Sequence, residues 1–100
     1  MSVKSFSDRT VLITGGSRGI GRAASLRLAS EGARVAVNYV SNVAKANETV
    51  AEIEAAGGVA VAVQGNVAIP AEAAQIATAT RDAFGPIDML VHSAGISIVE

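Results

Sequence analysis

A cluster of glycines between a short apolar run and an amphipathic stretch is the feature that most constrains how this chain can fold. Residues 10–14, TVLIT, are apolar and rich in β-branched side chains, which is typical of a buried strand. The next residues complete the run TGGSRGIG over 14–21, and helical spacing then places Ile20, Ala24 and Leu28 on one face. A strand that passes through a glycine turn into a helix predicts a βαβ unit.

The same alternation of strand and helix continues along the rest of the chain. Apolar runs predict further strands at 34–39, 59–63 and 87–92. Ser41 or Asn42 is suited to cap the second helix, which Gly57-Gly58 ends. Pro70 is suited to open the third helix, which ends at Gly85-Pro86. The predicted buried stripes of these two helices are Val43, Ala46, Val50 and Ile53, and Ala73, Ile76, Ala77, Thr80 and Phe84.

The order β-α-β-α-β-α-β predicts an α/β fold with a parallel sheet. Right-handed crossovers restrict the topology. The strand order 3-2-1-4 of the Rossmann-type, doubly wound dinucleotide folds is the natural choice. The first two helices then cover one face of the sheet and the third covers the other. We see no linker or domain boundary, so residues 1–100 are interpreted as the N-terminal portion of one larger domain. Because the fourth strand would keep an open edge, we expect this truncated piece to be unstable or to aggregate alone.

Composition excludes several classes of function. The net charge is −1 without a basic stripe, which disfavours nucleic-acid and membrane-surface partners. The sequence has no cysteine and a single histidine, so a disulfide framework and a thiolate metal site are excluded and no metal site is predicted. No apolar stretch approaches the roughly 20 residues needed to cross a bilayer. With no signal peptide visible either, we expect a cytoplasmic protein.

The glycine loop is suited to bind a diphosphate. A helix N-terminus presents unpaired backbone N–H groups and a partial positive charge. We expect Gly15 to allow the turn out of the strand, and Gly19 and Gly21 to allow close approach and tight helix packing. No Lys-Ser/Thr pair follows the last glycine, so the loop lacks the pattern of a nucleoside triphosphatase. A tight turn without any ligand would also explain the glycines, but the strand before them and the helix after them favour a dinucleotide.

The end of the second predicted strand indicates which dinucleotide. Sites for NAD usually carry an Asp or Glu there, about 20 residues past the glycines, on the ribose 2′-hydroxyl. Residues 37–42 read VNYVSN and contain no carboxylate. Arg18 carries a permanent charge suited to a 2′-phosphate, and Asn38 and Ser41 can add neutral hydrogen bonds. We therefore predict NADP(H) rather than NAD(H), with a solvated Arg18 as the alternative.

The run Thr-Gly-x-x-x-Gly-x-Gly resembles the fingerprint of the short-chain dehydrogenase/reductase family, and the resemblance covers all 100 residues. Asn66-Val67 stands where that family usually has Asp-Val beside the adenine. The segment 92–95, HSAG, stands where it usually has Asn-Asn-Ala-Gly. Ile69 stands where a helix-capping Asp is frequent. The segments look most like 3-oxoacyl carrier-protein reductases and related sugar and polyol dehydrogenases.

The resemblance implies an oxidoreductase that moves a hydride between a nicotinamide and a carbonyl or secondary alcohol, on a small molecule or an acyl-carrier-linked substrate. It also implies a homotetramer. The family's catalytic serine, tyrosine and lysine would lie beyond Glu100, so no catalytic residue is assigned and the piece alone is predicted to be inactive. Tyr39 would lie too far from the nicotinamide, and His92 is interpreted as structural rather than catalytic. The candidate cofactor-binding residues are Gly15, Ser17, Arg18, Gly19, Ile20, Gly21, Asn38, Tyr39, Ser41, Asn66, Val67, Ser93, Ala94 and Gly95.

Two other functions agree with the same residues. A dinucleotide sensor without catalytic activity would share everything visible up to Glu100. A truncated product that binds nothing would share it as well. A Tyr-x-x-x-Lys pair after residue 100 would favour the enzyme over the sensor.

Overall fold

The computed structural model describes residues 6–17 and 19–93. Strands and helices alternate over this part of the chain in the predicted order. None of its helices is both long and apolar enough to cross a membrane. The elements are β1 Thr10–Thr14, α1 Gly19–Ser30, β2 Arg34–Tyr39, α2 Val43–Ala55, β3 Val59–Gln64, α3 Pro70–Phe84 and β4 Met89–His92.

The strands form one parallel sheet in the order β3-β2-β1-β4, which confirms the predicted topology. β1 lies in the interior of the sheet, where Val11 pairs with Val35 of β2 on one side and with Met89 of β4 on the other. All five residues of β1 are buried, as expected for a strand covered on both faces. The carboxyl ends of β1 and β2 therefore lie side by side.

Helices cover both faces of the sheet, as predicted. On one face, α1 contributes Ala29 and α2 contributes Ala46 and Ile53 to a core that includes Val11 and Val35. On the other face, Ile76 of α3 packs in a smaller cluster with Leu12, Ala36 and Val63. The fold is therefore a Rossmann-like doubly wound arrangement.

The buried stripe of α1 is displaced by one position along the sequence from the predicted stripe. Gly21, Ser25 and Ala29 are buried, whereas the side chain of Ile20 is 61% exposed. The helical period was predicted correctly, but the most apolar side chains do not lie closest to the sheet. The small residues do, because they let α1 approach the sheet and the loop before it.

The other helices differ from prediction only at single positions. In α2, Val43 is half exposed and the unpredicted Thr49 is fully buried between Ala46 and Ile53. Asn42, rather than Ser41, caps this helix through a hydrogen bond from the backbone N–H of Lys45 to Asn42 Oδ1 at 3.1 Å. In the stripe predicted for α3, Ile76 and Thr80 are buried and Ala73, Ala77 and Phe84 are partly buried.

Candidate functional site: the glycine loop and the adjoining groove

The glycine loop turns from β1 into α1 through left-handed backbone conformations. Gly15 has φ +65° and Gly19 has φ +58°, values that residues with a Cβ rarely adopt. Gly21 has a different requirement, because a Cβ at that position would overlap the carbonyl oxygen of Gly15. The first turn of α1 thus packs directly against the main chain that leaves β1, and the helix N-terminus is held at the carboxyl end of the sheet.

The loop is held from inside by groups of neighbouring strands. The Ser93 hydroxyl, just after β4, donates to the carbonyl of Thr14 and lies 3.3 Å from that of Gly15. Gly16 N–H donates to the backbone carbonyl of Asn38 at 2.9 Å. Ser93 is only 7% exposed, so its side chain fastens the loop to β4 and does not present its hydroxyl to solvent.

Asn38 has an internal role in place of the expected contact with a 2′ substituent. Its side chain is 2% exposed. Oδ1 accepts from Gly15 N–H at 3.3 Å, and Nδ2 donates to the carbonyls of Val63 at 3.1 Å and Gly65 at 3.0 Å. Both amide protons are therefore used within the protein. Asn38 joins the carboxyl ends of β1, β2 and β3 and does not line the groove.

The start of α1 brings main-chain N–H groups to the carboxyl end of β1. The first four N–H groups of an α-helix have no acceptor within the helix, and those of Gly19, Ile20 and Gly21 belong to this set. The helix dipole adds a partial positive charge at the same place. This arrangement is suited to an anion with several oxygen atoms, such as a diphosphate.

A groove of about 340 Å³ adjoins the loop on the side of β2. Tyr39 is partly exposed and Ser41 is exposed, so both present side chains at this surface. The described residues that line the groove include neither Asp nor Glu. They are Gly15, Ser17, Tyr39, Val40, Ser41 and Asn42. Sequence reasoning did not select Val40 and Asn42.

The remaining candidate residues lie towards α3 and β4. Asn66 begins a turn in which its Oδ1 accepts from Ala68 N–H at 2.9 Å, while its own N–H donates to Glu72 Oε1 at 2.8 Å. Val67 and His92 line a separate, apolar cavity of about 340 Å³ beside α3. Asn66 and Val67 thus do not line the same groove as Tyr39 and Ser41. Arg18, Ala94 and Gly95 lie outside the described residues.

His92 forms a link between strands. Its Nδ1 lies 2.8 Å from Thr14 Oγ1, a contact that joins β4 to the last residue of β1. The imidazole is otherwise exposed. Within residues 6–17 and 19–93, no group of three or more His, Asp or Glu residues is placed to hold a metal ion.

Sequence reasoning also missed Thr49, whose hydroxyl lies 3.2 Å from the carbonyl oxygen of Ser17 in the loop. The helical spacing of Ala46, Thr49 and Ile53 on one face could have identified it as buried. Its partner could not have been identified, because the contact spans two elements.

Comparison with known proteins agrees with this arrangement. Residues 9–100 match the family model described as short chain dehydrogenase. The chain is 49% identical over 89 residues to a 3-oxoacyl-[acyl-carrier-protein] reductase of Synechocystis sp., covering 89% of this chain and 36% of the relative. It is 46% identical over 94 residues to an L-rhamnose 1-dehydrogenase (NAD(P)(+)) of Sphingomonas sp., covering 94% of this chain and 37% of the relative.

A solved structure extends the similarity to the fold. A dehydrogenase/reductase from Sinorhizobium meliloti superposes with a TM-score of 0.86 at 43% identity, covering 90% of this chain and 36% of that one. The chain thus spans little more than a third of the length of each of these relatives.

Proposed function

This chain belongs to the short chain dehydrogenase family, and on that premise we propose that it is the coenzyme-binding part of an NADP(H)-dependent oxidoreductase. Bound NADP(H) would supply or accept a hydride at a carbonyl or secondary alcohol. In this proposal the described residues would hold the coenzyme, and none of them is assigned as the catalytic acid or base. We therefore propose that residues 1–100 alone do not catalyse the reaction.

The observation that carries the proposal is the glycine turn that places the N-terminus of α1 at the end of β1. The space at Gly21 admits no Cβ, and Gly15 and Gly19 adopt left-handed conformations. These features bring main-chain N–H groups, rather than side chains, to the surface where a diphosphate would bind. The N–H groups of Gly19, Ile20 and Gly21 would hold the diphosphate.

The groove beside the loop supports NADP(H) over NAD(H). A carboxylate at the end of β2 would bind a ribose 2′-hydroxyl and repel a 2′-phosphate. The described residues of the groove include no carboxylate, and Ser41 offers a neutral hydroxyl. Arg18, whose place in the sequence is between Ser17 and Gly19, supplies the charge that a 2′-phosphate requires.

The names of two relatives indicate candidate substrate classes. One relative is named for an acyl-carrier-protein-linked oxoacyl group and another for L-rhamnose. We propose either an acyl-carrier-linked substrate or a small-molecule carbonyl or alcohol, and a homotetrameric full-length protein. We propose neither a nucleic-acid nor a membrane partner.

Coenzyme titration of the full-length gene product tests the preference. We expect NADPH to bind more tightly than NADH in a fluorescence titration. Arg18→Ala should weaken NADPH binding about tenfold or more, since hydrogen bonds between charged groups contribute more than neutral ones. It should leave NADH binding nearly unchanged.

Arg27→Ala is the matched control, because Arg27 lies in the last turn of α1 and pairs there with Glu31. Its loss should change neither affinity. Tighter binding of NADH by the wild type, or unchanged NADPH binding by Arg18→Ala, would contradict the preference for NADP(H). No binding of either coenzyme would contradict the proposed function itself.

A further inference from the structure

Thr49 is a fully buried polar residue in the middle of α2. Its Oγ1 lies 3.1 Å from the carbonyl oxygen of Lys45, one turn earlier, and 3.2 Å from that of Ser17 in the glycine loop. A threonine hydroxyl has one proton to donate. The Ser17 carbonyl is therefore within reach of a donor that belongs to another element, 32 residues away in the sequence.

Thr80 shows how an ordinary buried threonine behaves in this fold. It is also fully buried in mid-helix, and its hydroxyl donates to the carbonyl of Ile76 at 2.8 Å. That bond to the preceding turn is the local arrangement that threonine adopts in helices. Thr49 differs because its contact with the preceding turn is longer and its hydroxyl also contacts the loop.

The position of Thr49 relates it to both walls of the groove. One wall contains Gly15 and Ser17, and the other contains Tyr39 to Asn42. The second wall leads directly into α2, which begins at Val43. A hydrogen bond from α2 to Ser17 therefore links the two walls of the groove just before the start of α1.

The hydrogen bond from Thr49 also orients the backbone at Ser17. A trans peptide is planar, and its C=O and N–H point in opposite directions. Holding the Ser17 carbonyl towards the buried hydroxyl of Thr49 fixes the orientation of this carbonyl group at the wall of the groove. The orientation of Ser17 is then set before a ligand binds.

We infer that Thr49 is a positioning residue for the dinucleotide, acting through the carbonyl of Ser17 without touching the ligand. This inference rests on the proposed function, because it assumes that the dinucleotide lies in the groove. Loss of the hydroxyl leaves α2 intact but lets the loop and the opposite wall move relative to each other. Ordering them again on binding lowers the affinity.

The test compares Thr49→Val with Thr80→Val in the full-length gene product. Both changes remove a buried hydroxyl and keep the branched shape, so both are expected to lower the melting temperature by similar amounts. The readout is the dissociation constant, measured by fluorescence titration for NADPH and for NADH. The variants are compared by the dissociation constant of the coenzyme that binds the wild type more tightly. We expect Thr49→Val to raise it roughly three- to tenfold and Thr80→Val to leave it unchanged.

Thr49→Ser keeps the donor and should restore binding close to that of the wild type. If Thr49→Val does not fold, Thr49→Ala removes the same donor without a methyl group against the Ser17 carbonyl and is scored in the same way. Unchanged affinity after loss of the hydroxyl, or an equal loss in Thr80→Val, would overturn the inference. A wild type that binds neither coenzyme would instead count against the proposed function.

Discussion

Asn38 shows at the scale of a single residue how the site is built. Its side chain accepts one hydrogen bond from the loop after β1 and donates two to carbonyls at the end of β3. An asparagine is suited to this place because it combines an acceptor with two donors. The neutral residue at the end of β2, which suggested a contact with the coenzyme, is thus required by the sheet itself.

We predict that Asn38→Asp destabilises the protein by about 3 kcal/mol or more. A carboxylate at this buried position would face the carbonyls of Val63 and Gly65 and could donate to neither. The free energy of unfolding of the full-length gene product, measured in urea, checks this. Asn42→Asp is the matched control, because Asn42 caps α2 as a hydrogen-bond acceptor and Asp caps helices equally well. Equal stability of the two variants would contradict the role of Asn38 in joining the carboxyl ends of β1, β2 and β3.

At the scale of the element, α1 shows that the spacing of apolar residues can predict a helix without predicting which of its faces packs inward. The apolar residues Ile20 and Leu28 recur with helical spacing, and this predicted the helix correctly. The helix nevertheless packs with Gly21, Ser25 and Ala29 inward. The contact of Gly21 with the Gly15 carbonyl requires a surface without large side chains. Close approach, rather than hydrophobicity, decides the rotation of α1.

The start of α3 lacks a cap that the fold would accept. Ile69 occupies the N-cap position with an extended backbone at φ −102° and ψ 116°, makes no side-chain cap hydrogen bond, and is 43% exposed. We predict that Ile69→Asp stabilises the full-length gene product by about 1 kcal/mol, because a carboxylate can accept from the first N–H groups and favours the helix dipole. A thermal or urea unfolding curve measures the gain.

Ile69→Ala separates capping from the removal of an exposed apolar side chain. It should give no comparable gain. A similar stabilisation by both variants, or by neither, would show that the missing cap does not limit the stability of α3.

At the scale of the whole molecule, β4 is the least covered strand of the described sheet. Among the described strands it pairs only with β1. Its side chains alternate, with Met89 and Val91 packed against the core of α1 and α2, and Leu90 58% exposed on the opposite face. Leu90 borders the apolar cavity beside α3. Nothing in the described chain extends the sheet beyond this edge.

We predict that residues 1–100 expressed alone self-associate through this edge. An open strand with an exposed leucine beside an apolar cavity favours pairing with another copy. Light scattering coupled to gel filtration should show heterogeneous species, and Leu90→Lys should reduce them. A monomer of residues 1–100 with a cooperative melting transition would contradict the prediction.

The order of the elements, the sheet order 3-2-1-4 and the place of the glycine loop were determined by the sequence alone. These features depend on local patterns, namely β-branched runs, helical spacing and glycines at an element boundary, and on the handedness of parallel crossovers. The roles of Asn38, Thr49 and Ser93 were decided only by the tertiary structure. Their hydrogen bonds join residues 23 to 79 positions apart. A side chain's composition shows that it can donate or accept, but packing determines which distant carbonyl it meets.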